Sequence, residues 1–172
     1  RIFFDSLILI GDINIKKSFL ADYLKVRKPT LFSKDPSPRL YSEALVRQSE
    51  RLLADLPYLT QSQPSDVAFE SGKAFLKLFL NERKASTIDG IVGVMPNNAR
   101  DGKLLVTGQF HVDLYNPFGG GKKISAMWQR VKPASPIYRF EYMHPNLFSS
   151  GFDLDLRLNS LKEDSTFFNL TW

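Results

Sequence analysis

Three groups of residues have types and spacings from which chemistry is built. In "FDLDLRLN", Asp153, Asp155 and Arg157 alternate with leucines, and two carboxylates on one strand face are the raw material of a general acid and base pair. His111 stands two residues from both Gln109 and Asp113, and a lone imidazole among polar neighbours is a candidate metal ligand. Gly119, Gly120 and Gly121 form a run that suggests a phosphate loop. Each has a plainer reading. The aspartates fit a wet sheet face with cross-strand charge pairing; His111 fits a polar residue on that face, far in sequence from the other histidine, His144. The glycines lack a following Lys-Ser/Thr and helix, so a hairpin turn is the expectation. No nucleophile and base stand together, and the chain is expected to be no enzyme and to hold no cofactor or metal.

Composition narrows the field. The chain has 172 residues, 43% hydrophobic and 24% charged, which is ordinary for folded protein. Its net charge is +5, with 23 Lys and Arg mixed among 18 acids. Such dispersal argues against nucleic acid as a partner. There is no cysteine, which removes disulfides and thiolate metal sites. No apolar run reaches the length of a membrane helix. The chain opens at Arg1 in the apolar "IFFDSLILI", and is read as part of something longer.

The elements that must position these residues fall into two halves. Residues 1–86 read as mixed α and β. "IFFDSLILIG" is a strand ending at Gly11-Asp12. Phe19, Leu20, Tyr23 and Leu24 have helical spacing, with Asn14 as the expected N-cap. A second helix, with Ser37 capping and Pro38 at its first position, sets Tyr41, Leu45, Leu52 and Leu56 on one face and closes at Pro57. "SDVAFE" and "KAFLKLFLNE" then form a hairpin at Ser71-Gly72, with Leu76, Leu78 and Leu80 on one face. The order is β-α-α-β-β.

Residues 87–172 lose the helical period. "STIDGIVGVM", "LLVTGQFHVDLYN", "KKISAMWQRV", "SPIYRFEYMHPN", "FDLDLRLN" and "TFFNLTW" alternate with period two between turn signals, giving about six antiparallel strands. Val106, Phe110, Val112 and Leu114 oppose Thr107, Gln109, His111 and Asp113; Tyr138, Phe140 and Tyr142 oppose Arg139 and Glu141; Phe168, Leu170 and Trp172 align. Strands of about ten residues match the length of a transmembrane β crossing, where soluble sheets use about five or six. Trp128, Tyr138, Tyr142, Phe152 and Trp172 are placed for interfacial girdles. A closed barrel needs about eight strands or more, so the remaining strands are expected beyond Trp172 or from another chain.

In this order the segments resemble a known family. The first half is similar to a polypeptide-transport-associated (POTRA) domain: a strand ending in Gly11-Asp12, the helix "YSEALVRQSERLLADLPYL" and a last strand ending in Asn81-Glu82. The second half resembles the start of the barrel in BamA-type outer-membrane assembly proteins, through "YNPFGGGKKISAMWQR" and "YRFEYMHPNLFSSGFDLDLRLN". The family's several periplasmic domains, its complete barrel and the Arg-Gly-Phe segment of a late loop are absent. The fold expected is therefore an α+β POTRA-like domain (1–86) in the periplasm, followed by an incomplete antiparallel transmembrane β-barrel (87–172) in a bacterial outer membrane.

The resemblance implies function through edges. The first barrel strand would be a seam whose backbone pairs with an incoming substrate strand, at Ile88, Gly90, Ile91, Val92, Gly93 and Val94. Gly90, Gly93 and Pro96 are expected to weaken its pairing, or the glycines to allow curvature. Val67, Ala68, Phe69 and Glu70 would be the edge at which the periplasmic domain receives extended chains by β-augmentation. The partners implied are the lipid bilayer, unfolded outer-membrane protein precursors and accessory lipoproteins or other subunits. A polypeptide translocator of the two-partner secretion type and a soluble β-rich binding module are the alternatives.

Overall fold

The computed structural model describes residues 1–27, 38–96, 104–132, 135–163 and 167–171. Among the described residues, α-helices and β-strands follow the order β1 (Phe3–Ile10), α1 (Lys17–Tyr23), α2 (Glu43–Ala54), β2 (Leu59–Glu70), β3 (Lys73–Glu82), β4 (Thr87–Pro96), β5 (Leu104–Tyr115), β6 (Lys123–Lys132), β7 (Ser135–His144), β8 (Leu154–Glu163) and β9 (Phe167–Thr171), with a single 3-10 turn at Leu147–Ser149 between β7 and β8. They group into two compact units. One holds Arg1–Ala85 together with Tyr115–Lys122 and His144–Leu154; the other holds Ser86–Leu114, Lys123–Met143 and Asp155–Trp172.

The first unit is built on a three-stranded sheet in the order β1-β3-β2, with β1 parallel and β2 antiparallel to β3. Period-two alternation makes β3 its centre. Ala74, Leu76, Leu78 and Leu80 are all buried, as are Phe4 and Leu7 of β1. Leu20 and Leu24 from the α1 segment, and Leu45 and Leu53 from α2, complete this core. The β2–β3 turn has positive φ at both Ser71 (49°) and Gly72 (76°), the backbone of a two-residue hairpin whose twist suits the strands.

The helix starts depart from expectation. α2 begins at Glu43, not near Pro38, because Ser42 accepts a hydrogen bond from the Leu45 amide at 3.2 Å. That satisfies one of the orphan donors of the first turn. Residues 38–41 are extended instead: Leu40 bridges Phe3, and the Tyr41 amide donates to the Ile2 carbonyl. Ser37, the expected cap, lies outside the described residues. α1 begins after Lys16, which makes no side-chain cap. Asn14 does not cap it.

Ser49 is the polar exception inside α2. Fully buried, it donates to the Leu45 and Leu24 carbonyls at 2.9 and 3.2 Å. Tyr58 is less well served, since its buried hydroxyl has no partner among the described residues. Burial, followed by the nearby Tyr23, pushes its pKa up; burial, then Asp55 and Asp153, raises that of Tyr23.

The second unit is a six-stranded meander in the order β4-β5-β6-β7-β8-β9. β4 and β5 pair from Thr87↔Asp113 to Pro96↔Leu104 with no register shift, and β6 and β7 from Lys123↔Met143 to Arg130↔Pro136. The alignment expected of Phe168, Leu170 and Trp172 falls on side chains outside the described set.

Candidate functional site

Strand register sorts the side chains of the second unit onto two faces. On one, Ile88 lies opposite Val112, Gly90 opposite Phe110 and Val94 opposite Val106. Ile124 lies opposite Tyr142, Ala126 opposite Phe140 and Trp128 opposite Tyr138. Phe110, Ala126, Trp128, Tyr138, Phe140 and Leu158 line a single shallow depression, so the apolar rows of β5 to β8 coincide. Among the described residues of this unit no second layer covers this face: Val92 is 71% exposed, Ile88 68% and Leu156 48%. An apolar face of this extent is not left to water in a stable protein.

The opposite face is charged. His111 lies between Asp89 and Asp113, with Nδ1 3.4 Å from one carboxylate and Nε2 3.2 Å from the other. Farther along the sheet, Glu141 accepts from Lys123 at 2.9 Å and from Arg157 at 3.3 Å, and Arg157 reaches Asp155 at 2.6 Å. Asp155 and Arg157 thus join a cross-strand charge network. Asp153 is elsewhere, in the β7–β8 turn, where it accepts from the Asn146 amide. No group of three potential metal ligands occurs among the described residues. Ile91, 68% exposed, and Met95 interrupt the polarity of this face on β4.

The expected seam residues Ile88, Gly90, Ile91, Val92, Gly93 and Val94 all lie in β4, at one end of the sheet order. Gly90 has a packing role there. A Cβ on it would sit 3.1 Å from the Phe110 ring, so the aromatic covers the glycine. The Thr107 hydroxyl lies 3.4 Å from the Gly93 carbonyl. Pairing with β5 continues unbroken through both glycines and Pro96.

Val67, Ala68, Phe69 and Glu70 form the end of β2, an outer strand of the three-stranded sheet. Register shifts fall at Gln61/Gln63 and Gln63/Asp66, and Val67–Glu70 pairs regularly with Leu76–Lys73 beyond them. Bulges twist an edge away from regular pairing, and here they separate Val67–Glu70 from a second regular stretch at Leu59–Gln61. Phe69 meets the Tyr41 ring edge-on at 5.0 Å. The opposite outer strand, β1, is occupied at its start, where the Phe4 amide donates to the Arg39 carbonyl.

A cluster that sequence reasoning missed surrounds Asn116. Its φ is 55° and the residue is buried. Its Nδ2 donates to the Asn14 carbonyl at 2.9 Å, its Oδ1 accepts from the Gly121 amide at 2.8 Å, and its own amide donates to the Lys122 carbonyl. The Lys16 amide donates to the Gly119 carbonyl at 2.7 Å. The residues before α1 are therefore tied by a partner about a hundred positions away, which local patterning cannot reveal. The signal available was Asn116 followed five residues on by a glycine, a spacing suited to a side-chain-closed turn.

No family model and no curated protein matches the chain. Among solved structures it is similar to the crystal structure of BamA from Haemophilus ducreyi lacking POTRA domains 1–3, with a TM-score of 0.54 over 94% of this chain at 15% identity. The chain spans 29% of the length of that protein. The likeness is one of fold.

Proposed function

We propose that this chain is the junction between a periplasmic POTRA-like domain and the first strands of an outer-membrane barrel, in a BamA-like protein that inserts other barrels into the membrane. The observation that carries the reading is β4. It is an end strand of a sheet sorted into an exposed apolar face and a charged face, with ten residues in unbroken register on its β5 side. Its other side supplies backbone donors and acceptors of the kind an incoming strand needs.

The physics follows from the solvent. In hydrocarbon, each unpaired backbone amide or carbonyl costs several kcal/mol, so a nascent strand inserts only where a partner satisfies it. β4 acts as that partner, and transfer of the precursor's apolar face into lipid drives the step without nucleotide hydrolysis. Val67–Glu70 receives extended precursors first, by strand addition at the C-terminal end of β2. Accessory lipoproteins, where present, act through the periplasmic domain. The charged face, from Asp89 to Arg157, lines an aqueous interior and performs no bond chemistry.

Site-specific crosslinking tests this. These 172 residues hold no cysteine, so single cysteines at Ile88, Gly90, Val92 and Val94 are unique within them, and any cysteine elsewhere in the protein is first replaced by serine. In the assembled full-length protein they crosslink to cysteines in a terminal strand of a stalled barrel precursor. Absence of such crosslinks in a folded, inserted protein refutes the reading. Crosslinks confined to Arg139, Glu141 and Arg157 instead indicate a chain passing through the interior, the translocator alternative.

A further inference from the structure

Two turns of this protein share one closure. The β5–β6 turn is Asn116-Pro-Phe118-Gly-Gly-Gly121 and the β7–β8 turn is Asn146-Leu-Phe148-Ser-Ser-Gly151, both reading N-x-F-x-x-G. The match extends to the backbone at both ends of the turn, while between them the left-handed residue is Gly119 in the first turn and Phe148 in the second. Asn116 and Asn146 have φ of 55° and 50°; Gly121 and Gly151 have φ of 70° and 81°. In each, the asparagine Oδ1 accepts from the amide of the glycine five residues on, at 2.8 and 2.7 Å. In each, the phenylalanine two residues after the asparagine points outward: Phe118 is 62% exposed and Phe148 87%.

Such exposure is costly, and in Phe148 it is combined with a left-handed backbone (φ 53°, ψ 32°), a conformation that costs a bulky residue on the order of 1 kcal/mol or more. A closed frame that holds an aromatic ring outward twice serves contact with something apolar. We propose that the two N-x-F-x-x-G turns are lipid anchors, setting Phe118 and Phe148 into the headgroup and upper acyl region of the bilayer. The inference rests on the membrane reading given above.

Three observations favour lipid over a protein partner. In an antiparallel meander, the β5–β6 and β7–β8 turns close hairpins at the same end of the sheet, the end where β4 begins. Strands of about ten residues span one bilayer crossing, which brings turns that close them to headgroup depth. Each turn also leads within a few residues into the apolar row, at the half-buried Ile124 and Leu154. Lys122 lies 5.7 Å over the Phe118 ring, pairing a cation for lipid phosphates with an aromatic for the interface.

The test uses the full chain in bilayers with Trp128→Phe, Trp172→Phe and any tryptophan outside these 172 residues also replaced by phenylalanine, so that one added tryptophan reports alone. Phe118→Trp and Phe148→Trp keep an aromatic in the frame, and Leu156→Trp reports on the strand face. With lipids brominated near the glycerol, the turn tryptophans are expected to lose about half their emission or more, as interfacial aromatics do, while aqueous iodide leaves them bright. Adding Asn146→Ala to Phe148→Trp lowers that quenching, because the frame no longer holds the ring; unchanged quenching overturns the role given to the frame. If Leu156→Trp is quenched by lipid but the turn tryptophans respond only to iodide, the anchor inference falls and the membrane reading stands. If Leu156→Trp also escapes lipid quenching, the membrane reading itself fails. Shielding of Phe148→Trp only after an unfolded barrel precursor is added overturns lipid in favour of a protein partner.

Discussion

Gly121→Ala puts a methyl group where the β5–β6 turn meets α1. Gly121 has φ of 70°, and an added Cβ would overlap the Phe19 ring. A left-handed alanine costs about 1–2 kcal/mol, and overpacking a filled contact adds about 1–3 kcal/mol, so the expected loss is roughly 2–5 kcal/mol. Gly120→Ala is the matched control. It has no atom within 4 Å of its would-be Cβ, and its cost should stay within about 0.5 kcal/mol. Amide hydrogen exchange is the direct assay, because the Lys16 amide is held by the Gly119 carbonyl and the Gly121 amide by Asn116. At 1.4 kcal/mol per factor of ten, protection of both falls by about 30-fold or more in Gly121→Ala. Phe19→Leu in the same chain restores part of it, giving a coupling of about 1 kcal/mol or more. Equal protection in Gly121→Ala and Gly120→Ala refutes the docking of this turn on α1.

Other perturbations have different signs. Ser42→Ala removes the α2 cap and should cost about 1 kcal/mol, read as faster exchange of the Leu45 amide. Tyr58→Phe removes a buried hydroxyl without a described partner and should stabilise by about 1 kcal/mol. The Tyr58 phenol is raised above its ordinary value, so the unfolded chain ionises first as pH passes about 10 and native stability declines there; Tyr58→Phe flattens that decline in alkaline unfolding curves. Leu156→Arg should cost about 2–4 kcal/mol in bilayers, whereas Asp155→Asn on the charged face, where the partner Arg157 is largely exposed, should change stability by less than about 1 kcal/mol. Equal effects of the last two on insertion contradict the assignment of faces.

Much of the fold was legible because its elements carry their own period. The alternation of Leu76, Leu78 and Leu80 located the central strand of the first sheet, and "FDLDLRLN" located β8 and both its faces. What stayed hidden depends on partners remote in sequence. Asn14 has cap chemistry, yet α1 starts beyond Lys16, whose amide is taken by Gly119. Ser37-Pro38 reads as a helix start, yet Leu40 pairs with Phe3 and Ser42 does the capping. β2 begins at Leu59, ahead of the expected Ser65, because its two register shifts carry Pro64 through an outer strand. In the second sheet the residue types gave the faces, but Phe110 covering Gly90 required the register. The Asn116 frame and its second copy at Asn146 were invisible for another reason: a single Asn-to-Gly spacing means little until the backbone angles and exposed rings are seen together.

A nitroxide scan through residues 154 to 159 of the full-length protein in bilayers tests the central claim most directly. Each position is replaced in turn by a labelled cysteine, and collision rates with oxygen and with a water-soluble nickel chelate are compared. The account predicts period two, with Leu154, Leu156 and Leu158 favouring oxygen, and Asp155, Arg157 and Asn159 favouring nickel. Leucine positions shielded from both reagents would place a second protein layer over that face and contradict it.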